Sequence, residues 1–215
     1  MTIANWFDPL AQVAPSLTSE QLSWQPVPES KEREAAVLIL FSELNGEPSV
    51  TIIERPSHMR NHAGQPAFPG GAIEHSDDSA TMAALREAEE EIGLDPQSVH
   101  VVAELPQLWL PPSRFKITPI LAWWEMPHEV TAHDAQEVAA VHHVPIRELI
   151  DPANRVRVMT RSGFLGPAFL VRNMVVWGFT GGVLSQLLDL AGLSREWDES
   201  KIVDVPDSHQ VSWTS

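Results

Sequence analysis

Three glutamates close together in this sequence could bind a divalent metal ion. Glu87, Glu90 and Glu91 stand at positions i, i+3 and i+4 of a segment built from strong helix formers. A helix would therefore place all three on one face, while Glu89 points away. Like charges at these spacings repel one another, whereas a hard cation that prefers oxygen ligands, Mg²⁺ or Mn²⁺, would turn the repulsion into coordination. The alternative interpretation is an acidic helix face exposed to solvent.

The residues around the glutamates favour the metal site. Gly70 and Gly71 precede the helix in the sequence FPGG, and residues without side chains let the backbone approach a ligand closely. Arg86 stands directly before the first glutamate, where its guanidinium can orient a carboxylate or bind a phosphate. Together these residues predict a site for a metal ion and a phosphate-bearing ligand.

The segment from Gly71 to Leu94, which ends in REAEEEIGL, resembles the Nudix box, the signature of hydrolases that act on nucleoside diphosphates linked to another group. Its loop is one residue longer than the usual box, and the acid in that loop is Asp77 or Asp78. The resemblance implies an α+β fold, the Nudix-type α/β/α sandwich with a mixed sheet between helices. It also implies Mg²⁺ or Mn²⁺ held by the box glutamates, Glu87, Glu90 and Glu91.

A second motif lies just upstream of the box. The sequence ERPSHMRNHAGQPAFPGG (54–71) is similar to the motif that coenzyme A pyrophosphatases carry at this place, with Arg55, Arg60, Gly64 and the FPGG in position. The resemblance implies that coenzyme A is cleaved to adenosine 3',5'-bisphosphate and 4'-phosphopantetheine. The residues expected to bind this nucleotide substrate are the basic side chains and glycines near the box: Arg55, Arg60, His62, Gly70, Gly71 and Arg86.

The reaction also needs a general base, and two glutamates are candidates. Glu90 belongs to the box itself. Glu137 lies in a loop ahead of a strand and a helix that begins at a proline, an arrangement similar to many Nudix proteins in which an acid of this loop approaches the site. The alternative for Glu137 is a solvated loop residue.

Other functions remain open on the same residues. A related Nudix activity on ADP-ribose, NADH or a dinucleoside polyphosphate would use the same box. A catalytically silent, nucleotide-sensing Nudix protein is the other alternative, although such a protein would be expected to lose the box acids that this chain keeps.

Apolar runs and turn residues predict the elements that position these side chains. We expect a hairpin turning at Asn45-Gly46, a long loop over 56–78, and a helix over 79–92 that ends at Gly93. Further strands and helices are predicted in this order: strands 35–41, 50–54, 100–105, 117–124 and 138–144, a short helix from Pro145 through Ile150, a hairpin of 155–160 with 164–171, and a helix over 175–190.

Length and composition limit the organisation and the partners. The 215 residues predict an N-terminal arm packed on the domain (1–34), one catalytic domain (35–194) and a loosely ordered acidic tail (195–215). A net charge of -15 disfavours nucleic acid and anionic membranes as partners, and the apolar stretch from Met174 to Leu184 is shorter than the roughly 20 residues of a membrane helix. With no cysteine and no basic leader we expect a cytoplasmic protein. The sequence does not determine the oligomeric state, and a homodimer is possible.

Overall fold

The computed structural model describes residues 4–23, 25–30, 32–58, 63–111, 113–160 and 163–205. The strands are β1 (Arg33–Leu44), β2 (Glu47–Glu54), β3 (Pro66–Ala67), β4 (Gly70–Ala72), β5 (Val99–Glu104), β6 (Leu108–Leu110), β7 (Phe115–Trp124), β8 (Ala140–Pro145), β9 (Arg155–Met159), β10 (Leu165–Val171), β11 (Met174–Val176) and β12 (Ile202–Asp204). The helices are α1 (Asp8–Val13), α2 (Ser19–Leu22), α3 (Ala80–Ile92), α4 (Ile146–Leu149) and α5 (Gly178–Leu190).

The first eight strands form one mixed sheet. Its main path is β3-β2-β1-β7-β5, with β4 beside β1, β6 beside β7 and β8 beside β2. Strands β1 and β7 run parallel, and every other pairing in this sheet is antiparallel. A second sheet of four strands has the order β11-β10-β9-β12.

Strand β1 is covered on both faces, which explains its continuous apolar run. Ile39 and Phe41 pack into a core cluster with residues of α1, α2 and α5. Leu38 and Leu40, pointing the opposite way, pack into a separate cluster with the alanines of α3. The large sheet is therefore sandwiched between helices, and the predicted α/β/α architecture is confirmed.

The predicted hairpin is present between β1 and β2. Leu44 pairs with Glu47, so the turn consists of Asn45 and Gly46 alone, with φ angles of 53° and 79°. Positive φ at both positions is the requirement of the tightest hairpin turn, and asparagine and glycine tolerate it best.

Helix α3 begins and ends where its capping residues predict. The Ser79 hydroxyl accepts a hydrogen bond from the Met82 amide at 3.2 Å, satisfying a donor that has no partner inside the helix. Gly93 ends the helix with a φ of 70°, a conformation that other residues adopt at a cost.

Several segments differ from the sequence prediction, and β6 and α1 form where no element was predicted. The long loop over 56–78 contains the short strands β3 and β4, which pair with β2 and β1. Helix α5 begins at residue 178 and not at 175, because residues 174–176 pair with β10 as strand β11. Residues 202–204, within the expected loosely ordered tail, form strand β12 beside β9.

The N-terminal residues contribute to the core on the sheet face opposite α3. Phe7 and Leu10 are buried there, and the Phe7 ring lies 5.4 Å from that of Phe41 and 5.3 Å from that of Trp123, measured between centroids. Within the part of the chain that the structure describes, no helix is long and apolar enough to cross a membrane.

Candidate active site

Carboxylates from two elements meet in a small acidic cavity. Glu87 and Glu91 come from α3, and Glu137 comes from the loop between β7 and β8. One oxygen from each lies within 4.8 Å of the other two. The cavity has a volume of about 190 Å³ and is lined by acidic residues and one arginine: Glu74, Arg86, Glu87, Glu90, Glu91, Asp134 and Glu137.

Glu91 is the most deeply buried acid of the site, at 2% exposure. Its Oε2 accepts a hydrogen bond from the Gly70 amide at 2.9 Å. Its Oε1 is buried and has no hydrogen-bond partner among the described residues. Burial raises the pKa of Glu91 to about 8, and the charges of Glu87 and Glu137 act in the same direction, while the Gly70 amide and Arg55 oppose the rise.

Glu87 lies against the backbone of β4. Burial raises the pKa of its carboxyl, against the opposing charge of Arg86. A Cβ atom at Gly71 would lie 2.5 Å from the Glu87 Oε1 and equally close to its carboxyl carbon, so a side chain at position 71 would displace the carboxylate from this place. At Gly70 the φ of 148° and a clash with the Ala36 carbonyl exclude a side chain as well.

The three guanidinium nitrogens of Arg86 all contact protein oxygens. Nε and Nη2 donate to the two carboxylate oxygens of Asp77, each at 3.0 Å, and Nη2 also donates to the Ala72 carbonyl. Nη1 contacts Glu87 at 3.1 Å and Glu90 at 3.2 Å. Asp77, and not Asp78, is therefore the box acid that pairs with the arginine. In this arrangement the guanidinium of Arg86 orients acids of the site.

The two candidate bases occupy different places. Glu90 lines the cavity, but its side chain is 60% exposed and contacts Arg86, and it lies outside the group of three converging carboxylates. Glu137 belongs to that group. The sequence predicts Glu90 as a metal ligand with Glu87 and Glu91; in the structure, the third carboxylate that converges with those two is that of Glu137.

Arg55, like Arg86, was predicted to bind substrate and lies near the acids. It follows β2 directly, and its Nε is buried with no hydrogen-bond partner among the described residues. Its positive charge lowers the pKa of Glu91. Arg60 and His62, also predicted to bind substrate, lie outside the described residues.

The donor set fits a hard divalent cation. The converging atoms are all carboxylate oxygens, the ligands that Mg²⁺ and Mn²⁺ prefer. The buried Glu91 Oε1 has no donor of its own among the described residues, and a polar atom in that state is costly unless a ligand satisfies it. Glu87, Glu91 and Glu137 are therefore the residues that could hold the ion.

Two acids of the cavity were missed by sequence reasoning. Glu74 lies in the loop after β4, and Asp134 lies three residues before Glu137. Both belong to irregular segments, so no helical or strand spacing relates them to the box. The nearness of Asp134 to Glu137 in the sequence was a signal that could have pointed to it.

Comparisons with known proteins point to one family. The NUDIX domain model matches residues 31–162, more than half of the chain. The chain is 35% identical over 159 residues to the uncharacterized Nudix hydrolase NudL of Enterobacter sp. (strain 638), covering 72% of this chain and 81% of that protein. It is 31% identical over 190 residues to NudL of Salmonella paratyphi B, covering 87% and 93%.

Solved structures show the same fold. The crystal structure of a Nudix hydrolase from Nitrosomonas europaea matches 84% of each chain with a TM-score of 0.52 at 13% identity. This chain therefore belongs to the Nudix hydrolase family, whose members act on nucleoside diphosphate derivatives.

Proposed function

We propose that this protein is a metal-dependent pyrophosphohydrolase that cleaves coenzyme A to adenosine 3',5'-bisphosphate and 4'-phosphopantetheine. The observation that carries the proposal is the convergence of Glu87, Glu91 and Glu137 within 4.8 Å beside Arg55, whose Nε atom is buried. That arginine belongs to the 54–71 segment, whose sequence is similar to the coenzyme A pyrophosphatase motif.

Each side chain has a defined part in the proposed reaction. Glu87 and Glu91 would hold Mg²⁺ or Mn²⁺ directly, and the carboxylate of Glu137, which converges on the same place, would add to the attraction for the ion as well as serve as the base. When bound, such an ion neutralises charge on the phosphoryl oxygens and lowers the pKa of a water molecule bound to it. Glu137 accepts the proton of the attacking water as it adds to phosphorus, and the bond from that phosphorus to the bridging oxygen breaks.

The arginines act on different partners. Arg55, whose buried Nε has no acceptor among the described residues, donates to a phosphate oxygen of the substrate and offsets its charge. Arg86 holds the carboxylates of Glu87 and Glu90 in place through its bidentate contact with Asp77. This orienting contact matters because the ligands of a metal need support from the groups behind them.

The test is hydrolysis of coenzyme A beside ADP-ribose, NADH and diadenosine polyphosphates, each with Mg²⁺, Mn²⁺ or EDTA, with products separated by chromatography. We expect metal-dependent release of adenosine 3',5'-bisphosphate from coenzyme A. Glu91→Gln should abolish it, and Glu89→Gln, an exposed glutamate on the same helix, should not.

The other outcomes are equally informative. Cleavage of another nucleotide while coenzyme A survives would refute the substrate and keep the reaction class. Binding of nucleotide without any cleavage would favour the sensing function.

A further inference from the structure

The loop that carries Glu137 is bound to the end of the metal-site helix. The last carbonyl groups of a helix have no partner inside it and need donors from elsewhere. In this protein the Thr131 amide donates to the Ile92 carbonyl at 3.2 Å, and the His133 amide donates to the Glu91 carbonyl at 2.9 Å. Glu91 therefore presents its carboxylate to the cavity while its backbone anchors the loop.

The side chain of His133 makes a second contact with the same helix end. A Cβ atom at Gly93 would lie 2.2 Å from the Cε1 and 2.6 Å from the Nε2 of His133, so the imidazole packs directly on the glycine backbone. Gly93 is required here twice, once for its φ of 70° and once for this contact.

From His133 to Glu137 the loop is internally fixed. The Asp134 side chain accepts from the Gln136 amide at 2.8 Å, and the Asp134 carbonyl accepts from the amides of Glu137 and Val138 at 3.0 and 2.8 Å. Val138 is buried at 1% exposure in the cluster beneath α3. Glu137 thus lies only four residues after the helix contact at His133, and the segment between them is held by a turn.

We propose that His133 is a positioning residue, whose contact with Gly93 sets the place of the Glu137 carboxylate relative to the acids of α3. The inference rests on the proposed role of Glu137. It predicts that disturbing the contact acts on the reaction through Glu137 and on nothing else in the site.

The decisive variant is Gly93→Ala, whose new methyl group would force the imidazole and the loop to move. We expect kcat to fall at least about tenfold, since a misplacement of about 1 Å can cost on the order of 100-fold, with KM changed less than about twofold. Gly93→Ala combined with His133→Ala removes the clash and should return kcat to the level of His133→Ala alone. Gly192→Ala is the matched control, because Gly192 has a φ of 69° near the end of α5 and no described atom within 4 Å of the place that a Cβ would occupy.

Combining Gly93→Ala with Glu137→Gln separates a loss of Glu137 positioning from a general loss of structure. In that background Gly93→Ala should cause no further loss of kcat. An equal loss in both backgrounds, or a loss in Gly192→Ala as large as in Gly93→Ala, would overturn the inference.

Two measurements without substrate keep the test independent of the proposed function. Mn²⁺ affinity, followed by thermal shift, should fall in Gly93→Ala and in Glu137→Gln and fall no further in the double variant. Amide hydrogen exchange should quicken in residues 131–139 of Gly93→Ala and stay unchanged in α5. If the wild-type protein cleaves no nucleotide, the proposed function fails, while unchanged exchange and Mn²⁺ affinity in Gly93→Ala would refute the positioning role.

Discussion

Replacing Glu91 with glutamine removes the most deeply buried charge of the site, and we expect the change to stabilise the metal-free protein. The carboxylate is 2% exposed, and one of its oxygens has no hydrogen-bond partner among the described residues. A glutamine keeps an oxygen for the Gly70 amide. Its amide group would donate toward the carboxylates of Glu87 or Glu137, which lie within 4.8 Å.

The magnitude follows from the pKa of Glu91. The folded state holds the proton with a pKa of about 8, against the ordinary value of 4.5. At this site the folded protein therefore binds more protons than the unfolded chain, so the contribution of Glu91 to stability is greatest at low pH, falls between about pH 4.5 and about pH 8, and levels off above. At about 1.4 kcal/mol per pH unit, the full difference amounts to about 5 kcal/mol. Glutamine has no such dependence.

The assay is urea unfolding in EDTA between about pH 5 and about pH 8.5, comparing the wild-type protein with Glu91→Gln and Glu89→Gln. The free energy of unfolding of Glu91→Gln should exceed that of the wild type by a margin that widens with pH, whereas Glu89→Gln should follow the wild type. Saturating Mn²⁺ should stabilise the wild type and leave Glu91→Gln nearly unchanged. Parallel curves for wild type and Glu91→Gln across this range would refute the claim that burial raises the pKa.

Three further changes test other contacts. Arg86→Lys loses the bidentate contact with Asp77 and should lower Mn²⁺ affinity or kcat by about 10-fold to 100-fold, measured by titration and steady-state kinetics; unchanged values would remove its orienting role. Phe7→Ala should cost about 3–5 kcal/mol in urea unfolding, because this fully buried ring packs between Phe41 and Trp123; a loss below 1 kcal/mol, roughly a surface effect, would show that the N-terminal residues add little. Gly182→Ala, inside α5 with no described atom within 4 Å of an added Cβ, should raise stability by about 0.5–1 kcal/mol, and a lower melting temperature would contradict this.

Local patterns were sufficient to predict the elements that carry strong signals. The apolar run at 35–41, the Asn45-Gly46 turn, and the helix bounded by Ser79 and Gly93 are all found in the structure. In each case the determinant is local: a run of buried residues, two positions with positive φ, or two capping residues.

The missed elements depend on partners far away in the sequence. Strand β4 is defined by pairing with β1, and its glycines carry no strand propensity of their own. Strand β11 resembles the start of a helix until its pairing with β10 separates it from α5. The short strand β12 is defined by its pairing with β9.

The site residues likewise fall into those that local spacing predicts and those that depend on tertiary contacts. The spacing of Glu87 and Glu91 on one turn of helix was predictable, because 3.6 residues per turn is a property of the chain itself. The sequence did not predict that Glu137 joins these two acids or that Glu90 contacts Arg86. Both depend on how the loop 131–139 docks on α3. The choice of Asp77 over Asp78 likewise needed the position of the arginine.

The two faces of β1 have a consequence for how this protein could change over time. Its alternating side chains pack into two clusters that the sheet keeps apart, one beneath α3 and the acids, the other beneath the N-terminal helices and α5. Substitutions that repack the second cluster can add stability without reaching the first. This additional stability would let the protein tolerate destabilising substitutions around the acids. New substrate preferences could then be selected on one side of the sheet, while the packing on the other side keeps the chain folded.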